Sequence, residues 1–264
     1  MLIGKAIEIM RKDGFNGLVE ALKRRISYGL EKKYSATAVT HKEAMEWFEN
    51  RKHGYDRLIF AVYPYVSSDS IIFDIGANIG YFTFLLAERL NFNGSAYLFE
   101  PVPHLAELCK TTFRDVRFDV TVFDFGLSDR DKEEDIFIAS NGNLGWNTLV
   151  SQKATSDMTK VRIRLKPFDT CGIDATPSLI KVDVEGAEYM VFRGMLDSLR
   201  RWHPLPVVLC EVGWGQAHPA WEEEMSVFTE MKQIGYTICD LDGLPIDENN
   251  LQETTDVLFI PRKA

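Results

Sequence analysis

The sequence predicts an open α/β fold in which a mostly parallel sheet is covered by helices on both faces. From residue 70 onward, short apolar segments typical of buried strands alternate with longer segments typical of helices. Over residues 71–90, an apolar strand leads through a glycine-containing turn into a helix, which is the usual opening of a nucleotide-binding unit. Seven strands are expected near residues 70–74, 95–100, 120–125, 178–183, 206–212, 235–240 and 256–261.

Residues 1–68 are predicted to form a helical N-terminal extension to a domain spanning residues 69–264. Over residues 1–33, apolar side chains recur at helical spacing with Lys and Arg between them. Two interpretations stay open, a helix packed on the domain or on a partner subunit, and a peripheral contact with an anionic membrane. Thr40 followed by Glu43 forms a capping box that starts a further helix.

Within the domain, the pattern also predicts the helices and one insertion. Residues 130–168 do not fit the βα alternation, because 135–139 and 160–165 alternate like antiparallel strands. We expect this hairpin-like insertion to lie over the edge of the sheet where ligands bind in open α/β folds. The helices are expected near residues 80–91, 102–114, 186–200 and 219–234, the last ending at Gly235.

Composition narrows the class of protein. The chain has 264 residues, 45% of them hydrophobic and 26% charged, as in an ordinary soluble domain with an attachment. The net charge of −9 argues against nucleic acid as a partner. The N-terminus lacks a signal-peptide pattern, and the four scattered cysteines form no Cys-x-x-Cys pair. We therefore expect a cytoplasmic protein with reduced thiols.

The turn after the first strand predicts the cofactor. Its spacing is Asp-x-Gly-x-x-x-Gly, with Asp74, Gly76, Asn78 and Gly80, rather than the Gly-x-Gly-x-x-Gly that seats a pyrophosphate. A loop flanked by a carboxylate suits S-adenosylmethionine, which has a sulfonium and an amino-acid tail but no phosphate. Glu100 ends the second strand, 26 positions after Asp74, where an acid typically binds ribose hydroxyls. A nicotinamide-dependent oxidoreductase is disfavoured by the same spacing.

Three motifs together give a family resemblance. They are Asp-Ile-Gly-Ala-Asn-Ile-Gly (74–80), Phe-Glu-Pro (99–101) and Ile-Lys-Val-Asp-Val-Glu-Gly-Ala-Glu (180–188), and the closing strand at 256–261 agrees with them. With these motifs the chain resembles FkbM-type S-adenosylmethionine-dependent methyltransferases over residues 69–262. The resemblance implies a Rossmann-like class I methyltransferase fold. It also implies O-methylation of a hydroxyl on a sugar, a polyketide or a related small-molecule or glycan-type acceptor.

The ends of strands four and five are expected to carry the catalytic residues. Transfer of a methyl group to a hydroxyl requires alignment of the reacting atoms and removal of the hydroxyl proton. Asp183 ends the fourth strand close to the expected methyl position, and Glu185 follows in the next turn. Glu211 ends the fifth strand, and His218 follows in a loop. When two carboxylates are neighbours, the pKa of one of them is raised toward that of a base. The resemblance also implies an acid and a histidine in the site at the positions of Glu211 and His218.

Further residues are predicted to surround the ligands. Gly126 and Leu127, after the third strand, are expected to contact the adenine. Asn143 and Trp146 in the insertion, with Trp214 after the fifth strand, combine amides and aromatic faces that suit an acceptor with hydroxyl groups. No resident metal is predicted, because no spacing of His, Cys, Asp and Glu is convincing for one. The alternative function is a catalytically inactive nucleotide-binding regulatory or scaffold protein with the same fold.

Overall fold

A computed structural model describes residues 35–139, 144–145, 147–150 and 158–262. The pattern at 1–33 and the candidate residues Asn143 and Trp146 lie outside these ranges. Within the described ranges, no helix is long and apolar enough to cross a membrane.

The strands begin and end within a few residues of the predicted positions. The described residues form eleven strands, the seven that were expected in the main sheet and four around the insertion, where two antiparallel strands were expected. In chain order they are β1 Ile71–Ile75, β2 Ser95–Phe99, β3 Asp119–Phe123, β4 Gly126–Leu127, β5 Lys132–Ile138, β6 Asn147–Thr148, β7 Thr159–Lys166, β8 Leu179–Val182, β9 Val207–Val212, β10 Tyr236–Cys239 and β11 Thr255–Pro261.

The main sheet confirms the predicted fold class. Its seven strands lie in the order β10-β11-β9-β8-β1-β2-β3. Neighbours among β3, β2, β1, β8 and β9 are parallel, whereas β11 runs antiparallel to both β9 and β10. Because parallel strands end at the same edge, Asp74 of β1 lies beside Lys181 of β8. The topology therefore brings the chemistry-bearing ends of distant segments together.

The helices follow the predicted pattern with one difference. Thr40 and Glu43 make the reciprocal bonds of a capping box at the start of the first helix, as predicted. The helix expected over 186–200 is two helices, because the Gly194 carbonyl accepts the Asp169 N–H instead of continuing the helical ladder. The helices are α1 His41–Glu49, α2 Lys52–Val62, α3 Tyr81–Leu90, α4 Pro103–Thr112, α5 Glu188–Arg193, α6 Leu196–Arg201 and α7 Trp221–Ile234.

The insertion forms a second, smaller sheet in the order β4-β7-β5-β6. As predicted, β5 and β7 pair antiparallel, with Asp135 opposite Arg162. The arginine lies 3.3 Å from the Asp135 carboxylate on the exposed face. Ile136 and Ile163 are buried on the other face, so this sheet presents apolar side chains inward.

Helices α1 and α2 pack into the core of the main domain. Trp47, Phe48 and Ile59 belong to the same buried cluster as Ile72 of β1 and Tyr81 of α3. The described part of the predicted extension, from residue 35 to 68, therefore shares one hydrophobic core with the sheet and covers its carboxyl edge.

Candidate functional site

A cavity opens at the carboxyl edge of the main sheet. The ends of β1, β2 and β8 form its floor, and the insertion and helices α1 and α2 form its walls. The lining residues with polar side chains include Asn78, Glu100, Lys181, Asp183 and Glu185.

Glu100 is the buried carboxylate on the β2 side of this cavity. Its two oxygens accept backbone N–H groups, one from Asn78 and one from Val102, both at 2.8 Å. Burial raises its pKa to about 7, although these two hydrogen bonds and Lys181 act in the opposite direction. Each oxygen keeps a lone pair, so the carboxylate can still accept hydroxyl donors from a ligand.

The two glycines of the first loop serve contacts within the protein. A Cβ on Gly76 would lie 1.8 Å from the Asp183 carbonyl oxygen, and one on Gly80 would lie 2.3 Å from the Phe113 ring. Both have positive φ angles, +77° and +79°. Gly76 lines the cavity, but Gly80 does not. Glycine at position 80 is therefore required for packing against the Phe113 ring, and its predicted role in cofactor binding stays a prediction.

Asp74 is buried beneath the loop and is not among the residues that line the cavity, so its predicted role as a cofactor contact stays a prediction. One oxygen accepts the Thr83 hydroxyl at 2.7 Å, and the other lies 3.4 Å from the Lys181 ammonium. Lys181 also donates to the Gly76 carbonyl at 3.0 Å and pairs with Asp183 at 3.2 Å. Asp74 thus anchors Lys181, which in turn holds the cofactor loop and Asp183.

Lys181 is a site residue that the sequence-based list missed. It lines the cavity although its side chain is only 7% exposed. Burial disfavours its charge, but the carboxylates of Asp183 and Asp74 outweigh burial and raise its pKa. The available signal was a lysine inside an otherwise apolar strand, where a charge requires a partner.

The structure brings three of the four predicted catalytic residues together. Oxygens of Asp183, Glu185 and Glu211 all lie within 4.8 Å of one another. Asp183 and Glu185 line the cavity, and Glu211 lies behind them at the end of β9. Burial, followed by the charges of Asp183 and Glu185, raises the pKa of Glu211. Oxygen ligands at this separation could also hold a divalent cation.

The loop that carries Glu185 has a constrained backbone. Glu185 has a φ of +58°, which is unfavourable for a residue with a side chain, and Gly186 has +103°. The Glu188 carboxylate accepts the N–H of Val184 at 3.3 Å and that of Gly186 at 3.0 Å. The Thr148 hydroxyl donates to the Glu185 carbonyl at 2.7 Å. These bonds hold the Glu185 side chain toward the cavity at the expense of backbone strain.

His218 does not have the position expected of a catalytic base. It is 5% exposed, and its Nε2 lies 2.9 Å from the Gly186 carbonyl. Its Nδ1 accepts the Ala220 N–H at 3.0 Å, which assigns the proton to Nε2. Trp214 packs on the imidazole with ring centroids 5.0 Å apart. Neither ring is among the residues that line the cavity. The two rings lie beside the Glu185 loop, and the catalytic role of His218 and the substrate-binding role of Trp214 stay predictions.

The remaining walls come from the insertion and from the N-terminal helices. Gly126 and Leu127 line the cavity where the adenine was expected. From the N-terminal helices, Phe48 and Tyr55 also line it, although neither was among the predicted site residues. Their contribution depends on how α1 and α2 pack, and residue spacing alone contains no signal for it.

Solved methyltransferase structures resemble this fold at low sequence identity. An O-methyltransferase from Bacillus cereus in complex with SAH is 11% identical, with a TM-score of 0.47, 91% of this chain and 97% of that chain being covered. Precorrin-6y C5,15-methyltransferase from Geobacter metallireducens is 10% identical, with a TM-score of 0.43 and coverages of 78% and 87%. Likeness at this level says nothing about the acceptor. No match was found among curated proteins.

A family model described as "Methyltransferase FkbM domain" matches residues 74–238. This range begins at Asp74 and includes the ends of β1, β2, β8 and β9, so it contains the cofactor loop and the three clustered carboxylates. The match confirms the suspected family and supports S-adenosylmethionine as the cofactor. The chain therefore belongs to the FkbM methyltransferase family, and its fold and cofactor are those of an S-adenosylmethionine-dependent methyltransferase.

Proposed function

We propose that this methyltransferase transfers its methyl group to a hydroxyl oxygen of a neutral sugar, polyketide or related small molecule. One observation carries the proposal: three carboxylates, Asp183, Glu185 and Glu211, meet at the edge of the cofactor cavity. A hydroxyl nucleophile must lose its proton, and clustered carboxylates provide an acceptor whose pKa lies above the usual range. Anionic acceptors such as phosphates would be repelled by the same cluster.

The residues present fit the cofactor chemically. Glu100 offers two carboxylate oxygens to ribose hydroxyls, and Gly126 and Leu127 offer a backbone and an apolar surface for the adenine. Asp183 offers negative charge for the cationic part of the molecule. When bound, S-adenosylmethionine would supply a methyl group attached to a positively charged sulfur, and that sulfur would leave as a neutral thioether when the acceptor oxygen bonds to the methyl carbon.

The protein's own residues then have separable roles. Asp183 is fixed by Lys181 at 3.2 Å and is suited to orient the acceptor. Glu185 is half-buried, lines the cavity, and is suited to take the hydroxyl proton. Glu211 has a raised pKa and therefore already carries a proton near neutral pH, which lowers the repulsion between the carboxylates of the cluster. The four free cysteines fit a reducing compartment, so we propose that the protein acts in the cytoplasm.

Calorimetry and label transfer test this function. S-adenosylhomocysteine should bind and NAD should not. Label from S-adenosyl-[methyl-³H]methionine should then appear in a glycan, lipid or small-metabolite fraction, and the labelled bond should be an ether. Labelled nitrogen or carbon would refute O-methylation, and binding without any transfer would favour the inactive scaffold.

A charge-removing variant tests the acid–base role. Glu185→Gln should keep S-adenosylhomocysteine affinity and lose roughly 10²–10⁴-fold in turnover, the usual contribution of a positioned base. Glu222→Gln, on the exposed face of α7, is the matched control because it removes one carboxylate away from the cavity. Equal turnover in the two variants would contradict the assignment.

A further inference from the structure

Tyr55 reaches the cofactor cavity from outside the region that defines the family. It lies on α2, whereas the family match begins at residue 74. Its side chain lines the cavity together with Phe48 of α1. The catalytic edge of the sheet is therefore completed by residues that precede the family domain.

The Tyr55 ring is held in a fixed direction by two other aromatic rings. It packs edge-to-face against Phe48, with centroids 5.8 Å apart, and against Tyr81, with centroids 5.3 Å apart. The Tyr81 hydroxyl donates to Glu49 at 2.7 Å, so α1 and α3 are joined around this cluster. Such edge contacts restrict the ring and therefore the direction of its hydroxyl.

The Tyr55 hydroxyl lies in a charged environment. Burial raises its pKa, Lys181 lowers it, and Asp183, Asp74 and Glu211 raise it, so the group remains a neutral O–H donor at physiological pH. Among the described residues, none forms a hydrogen bond with this hydroxyl. A polar group in a cavity that has no protein partner is available to a ligand.

The surrounding groups determine what kind of ligand atom this hydroxyl suits. The Lys181 ammonium is already engaged with the Gly76 carbonyl, Asp74 and Asp183. The nearby carboxylates are acceptors when ionised. Tyr55 thus adds a neutral donor to a wall of acceptors, a combination that matches a molecule with several hydroxyl groups.

We propose that the Tyr55 hydroxyl is an acceptor-binding group that donates a hydrogen bond to an oxygen of a polyhydroxylated acceptor. The proposal rests on the proposed function and adds a specificity-determining residue from α2. Tyr55 binds the acceptor beside the carboxylate cluster and makes no direct contact with the cofactor.

Tyr55→Phe tests this role while keeping the ring that fills the cluster. With saturating cofactor and a fixed, dilute metabolite extract as the acceptor pool, label incorporation should fall about tenfold, the effect of one hydrogen bond. S-adenosylhomocysteine affinity should stay within about twofold of wild type. Tyr236→Phe is the matched control, because it removes a buried phenol that bonds the Pro206 carbonyl away from the cavity. It should lower stability and leave incorporation by the folded protein unchanged.

Two results of this experiment would overturn the proposal. They are wild-type incorporation by Tyr55→Phe, and a loss of S-adenosylhomocysteine affinity as large as the loss of incorporation. If the wild type labels no fraction at all, the proposed function fails, and a second measurement then decides the role of Tyr55.

Hydroxyl-radical footprinting supplies that measurement without an acceptor. Tyr63 is 47% exposed and should react readily, whereas Tyr236 is 1% exposed and should be protected. Tyr55 should react at an intermediate rate that saturating S-adenosylhomocysteine does not change. Protection by S-adenosylhomocysteine would make Tyr55 a cofactor contact, and protection equal to that of Tyr236 without ligand would show that it does not face the cavity. Either result overturns the proposal.

Discussion

Replacing Glu185 by glycine should give a more stable protein than replacing it by alanine. Glu185 has a φ of +58°, and a left-handed conformation costs a residue with a Cβ roughly 1–2 kcal/mol. Alanine keeps that cost, whereas glycine removes it. Against this, glycine normally destabilises relative to alanine by about 0.4–1 kcal/mol through the unfolded chain. The balance favours glycine by about 1 kcal/mol.

Comparing the two variants isolates the backbone, because both lack the carboxylate and every contact that it makes. Urea unfolding followed by circular dichroism measures the difference, and the corresponding shift in Tm is about 2–4 °C for a chain of this size. The matched pair is Asp197→Gly and Asp197→Ala in α6, where the side chain is 76% exposed. There alanine should be the more stable by about 1 kcal/mol, the usual helix preference.

Methyl transfer separates stability from catalysis in the same variants. Glu185→Gly and Glu185→Ala should lose turnover together, by roughly 10²–10⁴-fold, because neither can accept the hydroxyl proton. An alanine variant at least as stable as the glycine variant would refute the strained conformation and, with it, the view that Glu188 and Thr148 hold Glu185 in place.

Four further predictions concern charged side chains, three of them in the site and one, Glu224, buried in α7. Below its pKa of about 7, Glu100 becomes protonated, so S-adenosylhomocysteine affinity measured by calorimetry should fall as the pH decreases from 8 to 6. The Glu100→Gln variant should bind S-adenosylhomocysteine more weakly than wild type at pH 8, by about 1–3 kcal/mol, and its affinity should be nearly independent of pH. A wild-type affinity that does not change with pH would contradict this prediction. Lys181→Met leaves Asp74 as an uncompensated buried charge and should destabilise the fold by about 3–5 kcal/mol in urea unfolding, whereas an unchanged midpoint would show that the pair is not needed. Asp183→Asn should keep affinity for S-adenosylhomocysteine, whose sulfur is uncharged, and lose turnover roughly 10²-fold or more in the label-transfer assay; wild-type turnover would show that Asp183 has no catalytic role. Burial, followed by the charge of Glu188, raises the pKa of Glu224 in the folded state. The folded protein therefore holds a proton that the unfolded chain has lost, and stability falls as the pH rises through the folded-state pKa. Glu224→Gln should gain more stability over wild type at pH 9 than at pH 5, and equal gains would contradict the shift.

The predictions that agreed best with the structure depend on local periodicity. Each of the seven main strands lies within a few residues of its predicted position, because an apolar run bounded by turn residues has few other ways to be buried. Thr40 with Glu43 and Gly235 mark helix ends through bonds or φ angles that involve only neighbouring residues. The approach of Asp183 to Glu211 was also foreseeable, since parallel strands end at one edge.

The predictions that the structure supports least depend on contacts between distant segments. His218 looked like a loop histidine suited to proton transfer, yet Gly186 and Ala220 engage its two nitrogens. Gly80 looked like a cofactor glycine, yet the Phe113 ring occupies the space where its Cβ would lie. Gly186 and Phe113 are distant in sequence from the residues that they constrain, and only Ala220 is close.

The sequence by itself determined the order of strands and helices, the family and the cofactor, because these depend on spacing within short segments. Only the tertiary structure decided which side chains face the cavity. It paired Lys181 with Asp74, 107 positions apart in the sequence, and it brought Tyr55 of α2 over the edge of the sheet. The physical reason is that burial and charge pairing are properties of packed neighbours, and the packing of one segment against another is not encoded in the periodicity of either.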